Sequence, residues 1–541
     1  EYSPSNKLNI MTAASFTAGI RKSSALDWYN VSDPRPDYYR NMPSYIENEY
    51  YRNLLIDRIK ADPSLIQVNW NRMYNVNQNN TETIANVNGI AGNDVTGKRS
   101  RYIIEERVTK LQRINLNSVV NATIDNHLNF SGGISYQFQK NRMYKEVGDL
   151  LGGDFYVNLN QFAERDFPGS QANQNDLNNP NQIVKVGDKY GYDYDMVFHK
   201  ASAWGQLQGK WNQIDAFLSA ELSNTTYFRN GNYRNGLFED DSYGKSDIKN
   251  FINYGLKGGA TYKINGRNYF YANASYSTRA PYFEDIFVSP RTRNSAIEDA
   301  KNEKIASIES GYVLNTPKVK ARLSGYLTKF NDLTKTMTFY HDEYRNNVNY
   351  TLTDIDKIHF GGELGVEAKV YKGLTATLAA ALGRYFYTSR QKATVTVDNS
   401  SDVLSSNEVI FSKNFQLGGT PQTAATIGLN YRSPKYWFLS VNVNYFDDMY
   451  LDFNPIRRTW SAVETVTNTD TYNEIIQQER LKRQFTVDLF GGYSFKINSI
   501  VKSLKKSQYI YLNVGINNIT NNKNLITILH HYRLGRNRRR R

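Results

Sequence analysis

Apolar and polar side chains alternate along this chain with a period of two. Between Tyr436 and Phe446, Trp437, Leu439, Val441, Val443 and Tyr445 share one face, while Ser440, Asn442 and Asn444 share the other. Successive side chains of a strand point to opposite faces, so this stretch predicts a strand with one apolar and one polar side. The alternation recurs from Leu128 to Phe138, from Ile214 to Leu222, from Phe270 to Tyr276 and from Ile510 to Ile516. Each run is about ten residues, the length that spans a bilayer as a tilted strand. Several runs end in aromatics, as at Tyr436-Trp437 and Tyr385-Phe386-Tyr387, where membrane barrels carry their interfacial girdles. A soluble sandwich alternates too, but this many strands exceeds one sandwich.

The connections alternate between short and long. Short turns are predicted at 125–127, 211–213, 264–267, 315–318, 372–373 and 433–435. Asn265-Gly266 predicts a type I′ turn, whose two central residues need positive φ. Long polar stretches lie at roughly 21–63, 146–197, 230–248, 280–302, 389–421 and 451–480. Short turns on one rim and long loops on the other are the plan of an outer-membrane barrel. The predicted fold is therefore all-β, a transmembrane antiparallel β-barrel, with about 16 strands in this chain.

Composition agrees. The 541 residues include 41 Tyr, 26 Phe and 35 Gly but only 13 Pro and no Cys. A helical membrane bundle needs roughly 20 consecutive apolar residues per span, and the apolar stretches here are short, as at Leu378–Leu382. Without cysteine, disulfide scaffolds and cysteine-ligated metals are excluded. Hydrophobic residues at 40% are too many for a disordered chain. The net charge of +14 leans on the tail: the last nine residues, 533–541, carry six Arg and no acid. The remainder is mildly basic, so no nucleic-acid partner is expected. The chain opens Glu1-Tyr2-Ser3-Pro4, without the charged start, apolar core and cleavage site of a signal peptide, as expected of a mature chain or a fragment.

Candidate chemistry is sparse. The histidines (127, 199, 341, 359, 530 and 531) form no metal-binding spacing, and no Gly-x-Ser-x-Gly elbow or Gly-Lys-Ser/Thr phosphate loop occurs. No catalytic residues, metal or cofactor are expected. The acid clusters Glu239-Asp240-Asp241 and Asp447-Asp448 read as solvated loop charge, and the strand glycine pairs as sites of close packing. The better ligand candidates are aromatics and arginines of the first long stretch: Trp28, Tyr29, Arg35, Tyr38, Tyr39 and Arg40. Aromatics supply stacking faces and Arg binds anionic groups bidentately.

Ser277-Thr278-Arg279-Ala280-Pro281-Tyr282 closes a strand, Glu309-Ser310-Gly311-Tyr312 lies on the next, and a third ends at Phe330-Asn331-Asp332. Together with Tyr511 to Ile519 as a penultimate strand, these motifs resemble the barrel of TonB-dependent outer-membrane receptors. Ala25 to Tyr29, Pro34 to Tyr39 and Asp149 to Phe155 resemble receptors of the Bacteroidota type. The resemblance covers about residues 1–525 and implies an integral outer-membrane protein of a Gram-negative cell. Its activity would be active uptake of a specific large solute, captured by long extracellular loops. It also implies the TonB complex as partner, engaged through an N-terminal plug that this chain lacks. A surface lipoprotein is a further candidate partner, and the solute is unknown. Residue 1 would start inside the barrel, the remainder of an intact barrel of about 22 strands lying outside the chain. A plugless porin-like passive channel is the alternative. Within the family motif, Arg279 and Pro281 are expected to anchor a strand end at the rim. Glu309 would form a lumen ion pair with Arg322 on the neighbouring strand if both point inward, beside Gly311 and Tyr312. Residues 526–541 depart from the family's final strand and read as an anomalous basic tail, a frameshift or truncation artefact.

Overall fold

The alternating stretches become strands of a single curled wall. The computed structural model describes residues 1–341, 344–400, 402–499 and 507–523. Nineteen strands join one sheet. Sixteen of them form an antiparallel meander in which each strand pairs with its neighbours in sequence. The first eight are β1 (Tyr2–Ser5), β2 (Leu8–Trp28), β3 (Tyr102–Thr123), β4 (Leu128–Asp149), β5 (Lys189–Lys210), β6 (Ile214–Gly231), β7 (Lys249–Asn265) and β8 (Asn268–Arg279). The others are β9 (Glu303–Asn315), β10 (Val319–His341), β11 (Asn346–Tyr371), β12 (Leu374–Tyr387), β13 (Thr423–Arg432), β14 (Trp437–Asp447), β15 (Gln484–Lys496) and β16 (Tyr509–Ile516). The three remaining strands are outgrowths: Gly244–Lys245 on β6, and Gln391–Val397 with Val403–Ile410 on the first half of β11. Among the described residues of the meander, β1, β16 and the part of β2 beyond β1 keep one edge unpaired.

The two faces sort as the alternation predicts. Register places Leu218 beside Gly258 and Leu207, and Ile427 beside Leu378 and Val443. These residues point outward, and large apolar side chains there are exposed, Leu218 and Ile252 by 65% and 64%. A continuous exposed apolar face is what a lipid-facing surface requires. The opposite face is polar, carrying Gln137, Ser202, Ser219, Asn273, Arg322 and Asn444. The apolar core of the molecule lies instead at the long-loop rim, in clusters such as Leu333, Met337, Val348, Leu352, Val395 and Ile410, and Tyr227, Phe251, Phe283 and Phe287.

Three expectations are corrected. Strands run well past ten residues, to 26 in β11. The unbroken alternation marks only the apolar belt; beyond it the outward face turns polar and bulges shift the register, while the ladder continues and residues such as Val348, Tyr350 and Leu352 enter the core at the rim. The 21–63 and 146–197 loops accordingly lose their ends to β2, β4 and β5, and the first loop runs on to 101, with helices α1 (Glu49–Ala61) and α2 (Trp70–Gln78). Similarly, β10 does not end at Asp332. It bulges there, with Asp332 and Asp354 both at positive φ, and continues to His341. Finally, neither Asn265 nor Gly266 has positive φ. The Asn265 side chain instead accepts from the backbone N–H groups of Arg267 (2.9 Å) and Asn268 (3.0 Å), a side-chain-built turn. The 526–541 tail and His530 and His531 lie outside the described residues.

Candidate functional site

Every connection on the long-loop rim springs from a strand end that ordinary packing fixes. Loop 150–188 carries the short helix α3 (Gln161–Asp166), started by the Asn160 side chain, which accepts from the N–H groups of Phe162 and Ala163. Its last residue, Asp166, reaches across the wall. One carboxylate oxygen accepts from Asn346 Nδ2 (3.1 Å) at the start of β11 and from Asn399 Nδ2 (3.1 Å) between the two outgrowth strands. Arg165 holds the same carboxylate from its own side. Burial opposes ionisation of Asp166, but the hydrogen bonds from Arg165 and Asn399 win and hold its pKa below the usual carboxylate value. A second tie sits at Asp398. Its carboxylate accepts from Ser289 Oγ (2.7 Å) and Asn349 Nδ2 (3.1 Å), and its carbonyl from Arg293 Nη1 (3.1 Å). Phe162 and Tyr340 rings stand 6.3 Å apart beside these ties.

These contacts define the shape of the mouth. Strands β5 and β11 are six positions apart, which is roughly 29 Å along a flat sheet. Their loops touch only because the sheet curls and the loops fold inward over the space it encloses. Loops 150–188, 280–302 and 388–422 thus form a canopy tied by two aspartates. Inside the wall, under the first residues of loop 280–302, lies a cavity of about 490 Å³. Its walls come from the inward faces of β4 to β8, including Gln137, Gln139, Lys200 and Glu221, and its roof includes Arg279, Pro281 and Tyr282. The amides of Gln137, Gln139 and Asn141 are linked head to tail at 3.2 Å along β4.

The residues singled out by sequence fall into three groups. Arg279 pairs with Glu303, its guanidinium lies 4.8 Å from the Tyr282 ring centroid, and the Pro281 carbonyl accepts from Tyr227 OH (3.1 Å). Both residues hold the strand end under the roof. Glu309 meets Arg322 at 2.8 Å, and Tyr271 OH donates to Glu309 (2.6 Å) while accepting from Arg322 (2.6 Å). Gly311 leaves room for the Tyr271 ring, since a Cβ there would lie 2.7 Å from it. Tyr312 faces outward and donates to Asn268.

The loop candidates behave less uniformly. Tyr29 is 1% exposed. Its ring packs edge-on to Tyr156 and under Arg99, and its OH donates to Glu164 (2.6 Å). Its stacking face is therefore taken by Tyr156 and Arg99, a correction to its reading as a ligand contact. Arg35 already grips Asp33 through two nitrogens and lies 5.0 Å from the Trp28 ring centroid. Tyr38, Tyr39 and Tyr45 form an edge-to-face run at 5.0 and 5.5 Å, with Arg40 against Tyr39. The acid pair Asp447-Asp448 is gripped by Arg480 at 3.1 and 2.7 Å. Sequence reasoning missed Asp166 and Asp398 altogether. An aspartate in a polar loop carries no local signal, and the Asn399 contact spans 233 positions.

The family model described as TonB dependent receptor-like, beta-barrel, matches residues 4–519. No curated protein matches the chain. Among solved structures, the copper transporter OprC is similar at 14% identity and a TM-score of 0.49, covering 79% of this chain and 56% of its own. The ferric-catecholate import receptor Fiu of E. coli K12 is similar at 12% identity and 0.45, covering 77% and 52%. The FrpB iron transporter of Neisseria meningitidis is similar at 13% identity and 0.45, covering 78% and 56%. The chain spans about half the length of each of these three.

Proposed function

This chain belongs to the family of TonB-dependent receptor-like β-barrels, and from that premise we propose that it forms most of the wall and the capturing rim of an outer-membrane receptor. The receptor takes up one large, scarce solute by energy-coupled transport. Loops of the long-loop rim face outside and bind the solute. The remaining wall strands and a lumen plug that contacts TonB come from protein outside this chain. A surface lipoprotein is a further candidate partner above the rim.

The observation that supports capture over free passage is the tied canopy. A passive channel needs a standing aqueous opening, whereas here Asp166 and Asp398 draw loops from distant strands over the mouth. Of the loop set, the exposed Arg40 and the half-buried Tyr38 and Tyr39 beside it are retained as solute contacts. In this reading Arg279, Pro281, Glu309, Gly311 and Tyr312 shape the wall and do no chemistry.

A lock on the canopy tests this. The chain has no cysteine, so Asp166→Cys with Asn399→Cys places the sole disulfide across the mouth. Energised cells producing the intact protein should deplete one compound from a complex medium. Oxidising the double variant should stop that depletion and reduction should restore it. Depletion that continues in the oxidised variant, or in cells whose proton gradient is collapsed, rejects energy-coupled capture.

A further inference from the structure

The outward face of β2 to β5 changes character within two residues of the apolar belt. On β3 and β4 the belt ends in the register row of Ile114 and Phe138, while on β2 it runs on from Phe16 to Ile20. In the next row Lys140 stands outward, and in the one after it Lys110 and Arg142 are side by side. Lys22 follows one row higher, and Lys189 reaches down over the Tyr144 ring at 4.4 Å. A strand tilted as in barrels climbs about 5 Å per two residues. The first two rows therefore sit at the depth of lipid headgroups, which extend ~5–7 Å beyond the hydrocarbon.

The carboxylates among these cations do not cancel them outwardly. Lys140 pairs with Asp195 (2.9 Å), and Arg142 (2.6 Å) and Lys189 (3.0 Å) share Asp193, while Lys22 sits between Glu106 and Glu146. Asp193 and Asp195 are 3% and 5% exposed, but Lys140 and Arg142 are each 39% exposed. Asp193 and Asp195 share the outward face with these cations and are covered, which leaves Lys140 and Arg142 partly exposed. Lys110, also exposed, meets no carboxylate among the described residues. On the opposite wall the outward cations are fewer: Lys304, paired with Asp332, lies one register step from Lys329, and Arg384 stands two strands further on.

We propose that this patch binds the phosphate headgroup of anionic lipid, with Lys110, Lys140 and Arg142 as its contacts and the apolar belt below holding the acyl chains. Phosphate oxygens accept hydrogen bonds from several ammonium and guanidinium groups at once, and low water content at headgroup depth strengthens each contact. The buried acids keep the cations aimed and in register. The inference rests on the reading of the apolar face as lipid-facing.

Native mass spectrometry of the intact protein in neutral detergent, doped with equal phosphatidylglycerol and phosphatidylcholine, tests it. The wild type should retain phosphatidylglycerol preferentially. The K110Q/K140Q/R142Q variant should lower that retention by roughly tenfold, while K110R/K140R/R142K preserves it. K304Q/K329Q/R384Q on the opposite wall should leave it unchanged. Equal retention of both lipids by the wild type, or a triple variant that loses nothing, overturns the patch. Retention of inorganic phosphate as tight as that of phosphatidylglycerol overturns its assignment to lipid, since the acyl chains would then add nothing. Failure to retain either lipid overturns the lipid-facing wall itself, a separate outcome from loss of selectivity.

Discussion

At the scale of single residues, packing decides more than charge. The Glu309–Arg322 pair is half in water, its side chains 36% and 58% exposed, and such pairs contribute about 0–1 kcal/mol. Gly311, by contrast, is the floor on which Tyr271 lies. Gly311→Val should therefore destabilise by about 1–3 kcal/mol through overpacking, and Glu309→Gln by less than about 1 kcal/mol. Urea unfolding of the intact protein in vesicles should show that order. The pair itself was readable from the sequence, because both residues sit on alternating strands one hairpin apart. The burial of Tyr29 was not, since Arg99, Tyr156 and Glu164 come from three separate places in the chain. Asp285, in the roof helix α4 (Phe283–Ile286), is pushed up to about 6 by burial, with Glu303 and Glu284 adding to it. An acid with a raised folded pKa binds its proton more tightly in the folded state, so its charge weakens the roof as pH rises from about 4 to 6. Proteolysis of loop 280–302 should be faster at pH 7 than at pH 5, and Asp285→Asn should remove that difference. An unchanged pH difference in the variant would contradict this.

At the scale of elements, the sequence announces a strand only where its two faces differ. The halves of β4 and β10 in the apolar belt alternate cleanly, and their faces, turns and order were legible. In the upper half of β4 charged residues interrupt the pattern, and in β10 the apolar positions Leu333, Met337 and Phe339 resume only past the irregular register at Asp332, so the ladders continue without one unbroken signal. The bulge at Asp332 was misread as an end for that reason: Phe330-Asn331-Asp332 closes the alternation but not the hydrogen bonding. The face assignment makes a direct prediction for β6. Leu218→Arg puts a charge on the exposed apolar face and should cost about 2–4 kcal/mol near mid-belt. Ser219→Arg, one residue on, points to the polar face and should cost under about 1 kcal/mol. Equal costs in vesicle unfolding would mean that the faces are wrongly assigned.

At the scale of the whole molecule, the curl of the wall and the closure of its mouth are one fact seen twice. Asp166 can reach Asn346 and Asn399 only across an enclosed space, and the ties then keep loops over it. None of this was visible in the sequence, because loops that meet in space share no periodicity and their contacts are single hydrogen bonds between polar residues. The family assignment supplies the context of a receptor-like barrel, and in the proposed reading the canopy is what separates it from an open pore. The most direct measurement is single-channel conductance of the intact protein in a planar bilayer. The wild type should pass little or no steady current. Asp166→Ala with Asp398→Ala should loosen the canopy and raise the frequency of openings. A large, steady, porin-like conductance in the wild type, unaffected by those substitutions, would contradict a mouth closed for capture.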